Sequence, residues 1–253
     1  MIETLLAATG FSAPTLMILA GICFAAGLVR GFSGFALSAL VMASAVTLLA
    51  PIELIPICWV LDMVASLMLL RRGTAEADRR MVLTLFVGSA VGIPVGLWLT
   101  TSLPVETSKF IALALILTLA GLQLARIRLS FLASNQGTWL TGLMAGIATG
   151  IASLAGMVIA LFVLSRNAPV RVMRASLVLF LFISSLMSIV FLLLYGVMTE
   201  TAAIRGLVLA VPSSIGVFIG SRMFIPRFEP WYRPFSLTLL IGLAAFGLVR
   251  TAF

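Results

Sequence analysis

Ten apolar runs, separated by little more than arginines and glycines, constrain this chain more than any other feature. They fall at about 13–29, 32–50, 54–70, 81–100, 109–125, 138–148, 152–165, 176–198, 206–221 and 234–249. A helix of roughly 20 apolar residues matches the hydrocarbon thickness of a bilayer. Backbone in lipid must satisfy its own hydrogen bonds, so the expected fold is an all-α polytopic membrane protein. Composition agrees: 62% of the 253 residues are hydrophobic and 9% charged, where soluble domains carry roughly 25% charged residues. That excludes a soluble enzyme and leaves one membrane domain, residues 1–253. No Lys or Arg precedes Arg30, so the first run lacks the basic flank of a signal peptide and is expected to stay as a membrane segment.

Of the sixteen cations all but Lys109 are arginines, giving a net charge of +8. They stand singly or in pairs between apolar runs, as loop anchors do, so nucleic acid is not an expected partner whereas membrane lipid is. Arg71, Arg72, Arg79, Arg80, Arg126, Arg128, Arg166, Arg171, Arg174, Arg222, Arg227 and Arg233 fall into four loops. The positive-inside rule places these in the cytoplasm, with Lys109, Arg205, Arg250 and both termini on the periplasmic face. Residues 138–165 then begin and end on one side, and about 28 residues are too few for two full crossings, so they must turn back partway. There is no histidine, and Cys23 and Cys58 are isolated in apolar runs. No metal, haem or other cofactor is therefore expected.

The two halves resemble each other. Gly27-Leu-Val-Arg30-Gly31 falls on Gly146-Ile-Ala-Thr149-Gly150 at an offset of 119; Ala50-Pro51 falls on Ala168-Pro169, and Ser66 on Ser184, at 118; Gly92 and Gly96 fall on Gly216 and Gly220 at 124. Repeat one spans about 13–128 and repeat two about 138–250. Each reads as a broken-helix hairpin plus three transmembrane helices, an odd number of net crossings, so the second copy must be inverted. Inverted repeats with interrupted helices in matching places point to a secondary transporter whose site lies at the repeat interface near the midplane.

Within that frame the first break is read at Val29-Arg30-Gly31, with a helix starting near Phe32. The second is read at Ala148-Thr149-Gly150-Ile151. A helix start offers free N–H groups and a partial positive charge. Arg30, Gly31, Phe32, Ser33 and Gly34 from the first tip, and Thr149, Gly150 and Ser153 from the second, are the candidate substrate-binding residues. Arg30 supplies a bidentate fork for a carboxylate, sulfonate or sulfite; snorkelling to an interface is its structural alternative. Asp62 lies nine residues, about 13 Å of helix, beyond Glu53, hence near mid-bilayer, where an unpaired carboxylate is costly. It is either an ion-pair partner for Arg30 or a proton carrier. Ser66, one turn on, and Ser184 join it as candidate coupling or gating residues. A carboxylate permease and an anion channel remain as alternatives. A membrane enzyme is disfavoured, because no His, Cys or acid pair converges.

Gly27-Leu-Val-Arg-Gly-Phe-Ser-Gly34-Phe35 and Gly146-Ile-Ala-Thr-Gly-Ile-Ala-Ser-Leu-Ala-Gly156, opening two related halves in a chain of this length, resemble the TauE/SafE sulfite exporter family, also called the toluene sulfonate uptake family. The Arg-Gly-Phe-Ser-Gly-Phe stretch is its most specific part. The resemblance implies a secondary transporter, with no enzymatic activity, of sulfite or small organosulfonates across a bacterial inner membrane, with a small anion as partner and homo-oligomerisation left open. The chain departs from the pattern where Ser33 and Phe35 interrupt the glycines of the first half and Leu154-Ala155-Gly156-Met157 replaces those of the second.

Overall fold

A computed structural model describes residues 2–70, 76–127, 131, 134–165, 170–223 and 229–252. Arg71, Arg72, Arg128, Arg166 and Arg227 lie outside the described residues, as do the side chains of Phe32, Ser33, Arg171, Arg174, Trp231, Tyr232, Arg233 and Arg250. The described chain is all helical: α1 (Ile2–Thr9), α2 (Ala13–Ser33), α3 (Leu37–Ala45), α4 (Pro51–Leu70), α5 (Arg79–Ser102), α6 (Val105–Leu124), α7 (Asn135–Ala152), α8 (Ala155–Ser165), α9 (Val170–Leu194), α10 (Glu200–Met223) and α11 (Glu229–Ala252). Six of these hold spans long and apolar enough to cross a membrane. Large apolar side chains such as Met17, Trp98, Leu194 and Phe246 cover the outer surface. Water would penalise such a surface and lipid does not.

Besides α1, two described elements are too short to cross. At 1.5 Å per residue, α3 and α8 reach about 14 and 16 Å, against a hydrocarbon core of roughly 30 Å. Each follows a longer helix, α2 or α7, through a tight turn. These two turns correct the sequence reading. Helix α2 does not break at Arg30-Gly31; it continues to Ser33 and ends where Gly34 adopts φ 80°, its N–H bonded to the Arg30 carbonyl at 2.8 Å. Helix α7 likewise runs through Thr149 and Gly150 to Ala152, and Ser153 at φ 56° ends it. Both earlier glycines serve helix contact instead of chain reversal. A Cβ on Gly31 would strike the backbone of α10 at Val217 and Gly220, and one on Gly150 the backbone of α5 at Gly96 and Leu97.

Those contacts belong to two seams that organise the bundle. Gly27 and Gly31 of α2 meet Gly216 and Gly220 of α10, and Gly88, Gly92 and Gly96 of α5 meet Gly142, Gly146 and Gly150 of α7. Small residues at four-residue spacing let helix backbones touch, the main source of packing energy between helices in lipid. Rising numbers meet rising numbers along both seams, so each pair runs parallel. Helix α4 packs on α9 and α10, α5 on α9, α6 on α8 and α11, and α3 on α11.

Polar contacts tie the helix ends. At one end Arg205 of α10 pairs with Glu53 of α4 at 3.2 Å, donates through Nε to the Thr9 carbonyl at 2.8 Å and covers the Phe11 ring. At the other, the Asp78 N–H donates to Ser176 Oγ of α9 at 2.9 Å, joining the approach to α5 with the start of α9. Helices α2, α4 and α10 run one way and α5, α7 and α9 the other, because Ser153 at the end of α7 meets Ile55 at the start of α4.

Candidate functional site

The largest fully buried side chain among the described residues is a cation. Arg30, in the last turn of α2, is 1% exposed. A guanidinium there survives only with partners. Its Nη2 donates to Ser66 Oγ at 3.1 Å, and its Nη1 lies 3.7 Å from Asp62 Oδ1. Its Nε–H has no hydrogen-bond partner among the described residues. Ser38 Oγ donates to the other oxygen of Asp62. Three helices thus converge: α2 brings the cation, α4 the carboxylate and Ser66 one turn on, and the first turn of α3 brings Ser38.

Arg30 and Asp62 border a cavity of about 40 Å³. One water needs roughly 10–15 Å³ on this measure, so a few waters or one small oxyanion fit. Its walls come from both halves. The Ala36–Ala39 start of α3 and the Leu154–Met157 start of α8 both face it, as do Thr149 and Ser153 from the end of α7, Ser184, Ser185 and Ser188 from α9, and Trp59 from α4. Ala36 caps α3 at φ 74° and offers no side-chain hydrogen bond to it. Left-handed backbone at a residue with a Cβ costs about 1–2 kcal/mol, and such strain persists where its surroundings enforce it. Two helix starts therefore bring partial positive charge to one small space.

The sequence-derived candidates divide accordingly. Arg30, Asp62, Thr149, Gly150, Ser153 and Ser184 line the cavity, and Ser66 reaches it through Arg30. Gly31 sits on α10 and Gly34 in the turn. Phe32 and Ser33 are the last two residues of α2, so the expected helix start at Phe32 is replaced by one at Leu37. The Thr149 hydroxyl bonds its own helix at the Ala145 carbonyl, 2.7 Å away. Ser184 shares a hydrogen bond with Ser89 of α5 at 3.1 Å, and Ser153 Oγ makes a long 3.5 Å contact with the Ile55 carbonyl.

Sequence reasoning missed Ser38 and Trp59. Ser38 became visible only once the helix start moved to Leu37, which puts it in the first turn. Trp59 lies three residues before Asp62, and its Nε1 donates to the Ser185 carbonyl at 2.7 Å, fixing the ring between α4 and α9. Among the described residues no cluster of His, Cys, Asp or Glu is arranged to hold a metal.

Chemically, the arrangement can receive an anion. It has a buried cation with donor capacity to spare, two helix starts and several hydroxyls around a space of oxyanion size. Residues 19–247 match the family model described as Sulfite exporter TauE/SafE. No curated protein matches the chain. No solved structure matches it either.

Proposed function

The chain belongs to the TauE/SafE sulfite exporter family, a family of membrane transporters, and from that premise we propose that it is a secondary carrier of sulfite or small organosulfonate anions. It is a multi-pass membrane protein, its substrate a small anion. The observation that carries the finer reading is Arg30, buried with an unpartnered Nε–H and lining the cavity that two helix starts also line. In this reading Arg30 and Ser153 attend the anion directly, while Thr149 and Gly150 form the wall beside it. Gly31, Phe32, Ser33 and Gly34 hold the first turn in place.

Asp62 balances the charge of Arg30. An entering anion would leave a buried negative charge, and uncompensated buried charge is costly. Protonation of Asp62 removes it, so we infer that proton uptake accompanies anion binding. Ser66 and Ser184 serve this coupling by holding the flanking helices.

Movement of the site between membrane faces is read as a rocking of inverted repeats, 13–128 against 138–250. Two features support this reading. The helices α2 and α7, related by the offset of 119, run in opposite directions. The seams also exchange partners between halves, α2 with α10 and α5 with α7. The arginine bias supports a bacterial inner-membrane location with both termini periplasmic.

The test is flux into proteoliposomes of purified protein with sulfite, isethionate, sulfoacetate and acetate, with and without an imposed pH gradient. Saturable flux of a sulfur oxyanion that acetate does not inhibit, stimulated by the gradient, is expected. Acetate flux without sulfur-anion flux would turn the assignment to a carboxylate permease. Non-saturable flux without counterflow would turn it to a channel.

A further inference from the structure

Two serine pairs occupy equivalent places in the halves, and only one pair is joined. The offsets that relate Ser66 to Ser184 and Gly92 to Gly216 also relate Ser89 to Ser213. Ser89 and Ser184 share a hydrogen bond at 3.1 Å. Their counterparts do not: Ser66 is held by Arg30 at 3.1 Å, and Ser213 Oγ, on a residue 2% exposed, has no partner among the described residues. It does not even bond the carbonyl one turn back, as Ser176, Ser185 and Ser188 do.

The helices are in register for the missing bond. Gly206 of α10 lies against Val60 of α4. Seven residues further along these two helices, which run the same way, Ser213 comes level with Ser66 and Leu67. Ser213 also abuts α2, where its carbonyl meets Gly27, about one turn before Arg30. What separates the halves at this place is Arg30, whose counterpart Thr149 satisfies its hydroxyl on its own helix and leaves Ser184 to Ser89.

We propose that Ser66 has two partners in turn, Arg30 as the structure shows it and Ser213 when an anion engages Arg30, which makes Ser213 a positioning residue of the transport cycle. The proposal rests on Arg30 being the anion site. When the guanidinium turns its donors to the substrate, the Ser66 hydroxyl is released into a buried environment, where an unpaired hydroxyl is unfavourable. Ser213 is the buried hydroxyl waiting at that level. The new bond joins α4 to α10 as Ser89–Ser184 joins α5 to α9, so the loaded state has matching contacts in both halves. Because the bond forms only with the anion bound, it favours the loaded state without obstructing the empty one.

A double-mutant cycle on sulfite binding tests this, with radiolabelled sulfite titrated onto purified full-length protein. Ser213→Ala weakens binding about three- to tenfold, the range of one modest hydrogen bond, and Ser213→Thr restores it. In a Ser66→Ala background the same Ser213→Ala change has no further effect, because the bond is already gone. Wild-type affinity in Ser213→Ala, or an equal loss with and without Ser66, would overturn the proposal and leave Ser213 a packing residue. Binding that Arg30→Ala leaves unchanged would overturn the underlying site assignment instead. Thermal stability of each variant without sulfite supplies the control, since the exchange predicts no loss for Ser213→Ala in the empty state.

Discussion

The two helix breaks use one backbone device for different chemistry. Gly34 and Ser153, both left-handed and both at the offset of 119, end α2 and α7 and send a short helix back toward the same cavity. Around the first stand Arg30, Asp62 and Ser38; the equivalent positions around the second are Thr149, Phe180 and Met157. Two helix starts, one from each half of the chain, thus face the cavity, while among the described residues its fixed charges come from the first half alone. Shape and dipole can be duplicated with the backbone, but a second buried ion pair would add a second desolvation cost with no second substrate charge to balance it.

The comparison breaks most severely at Arg30. Arg30→Ala abolishes flux and leaves Asp62 without its countercharge, costing about 3 kcal/mol or more, visible as a lower Tm in detergent. Thr149→Ala, its counterpart, changes flux by less than about threefold, since that hydroxyl bonds only its own helix. Equal losses in the two variants would contradict the asymmetry. Asp62→Asn removes the other charge: the pH dependence of flux flattens if this carboxylate takes up the proton, and an unchanged profile would reduce Asp62 to a structural partner of Arg30.

The glycine seams are where the halves should behave alike. Gly92→Leu and Gly216→Leu each drive a side chain into a facing helix backbone, and each lowers stability by about 1–3 kcal/mol or more, measured by thermal unfolding in detergent. A large loss in one and none in the other would mean that the seams are not equivalent. The smallest contrast lies at the turns. Gly34→Ala places a Cβ in left-handed backbone and costs about 1 kcal/mol. Ser153→Gly relieves that same conformation and shifts stability by less, in the stabilising direction.

Much of this was legible in the sequence because lipid makes its demands early. The lengths of the apolar runs and the arginines between them point to ten of the eleven described helices; α1, eight residues long and ahead of the first run, was not expected. Arg30 and Asp62 were recognisable because a charge inside an apolar run is expensive enough to need a reason. The location of the breaks was less legible, for a physical cause. Glycine serves two ends here, helix contact at Gly31 and Gly150 and chain reversal at Gly34, and the residue type does not distinguish them. At the second break the reversal falls on Ser153, a residue that carries a Cβ and gave no signal of its own. Ser38 was lost with the misplaced helix start, and Trp59 was invisible because its role depends on α9, which is distant in the chain.

In the proposed mechanism one charged pair in the first half, Arg30 with Asp62, holds the anion site. The most direct measurement compares binding of radiolabelled sulfite to purified wild-type protein and to the Arg30→Ala/Asp62→Asn variant. Removing both charges avoids the unpaired ion that either single change leaves behind. The double variant is expected to fold, with a Tm above that of Arg30→Ala alone, and no longer to bind sulfite. Sulfite binding of undiminished affinity in that variant would contradict it and move the site away from Arg30.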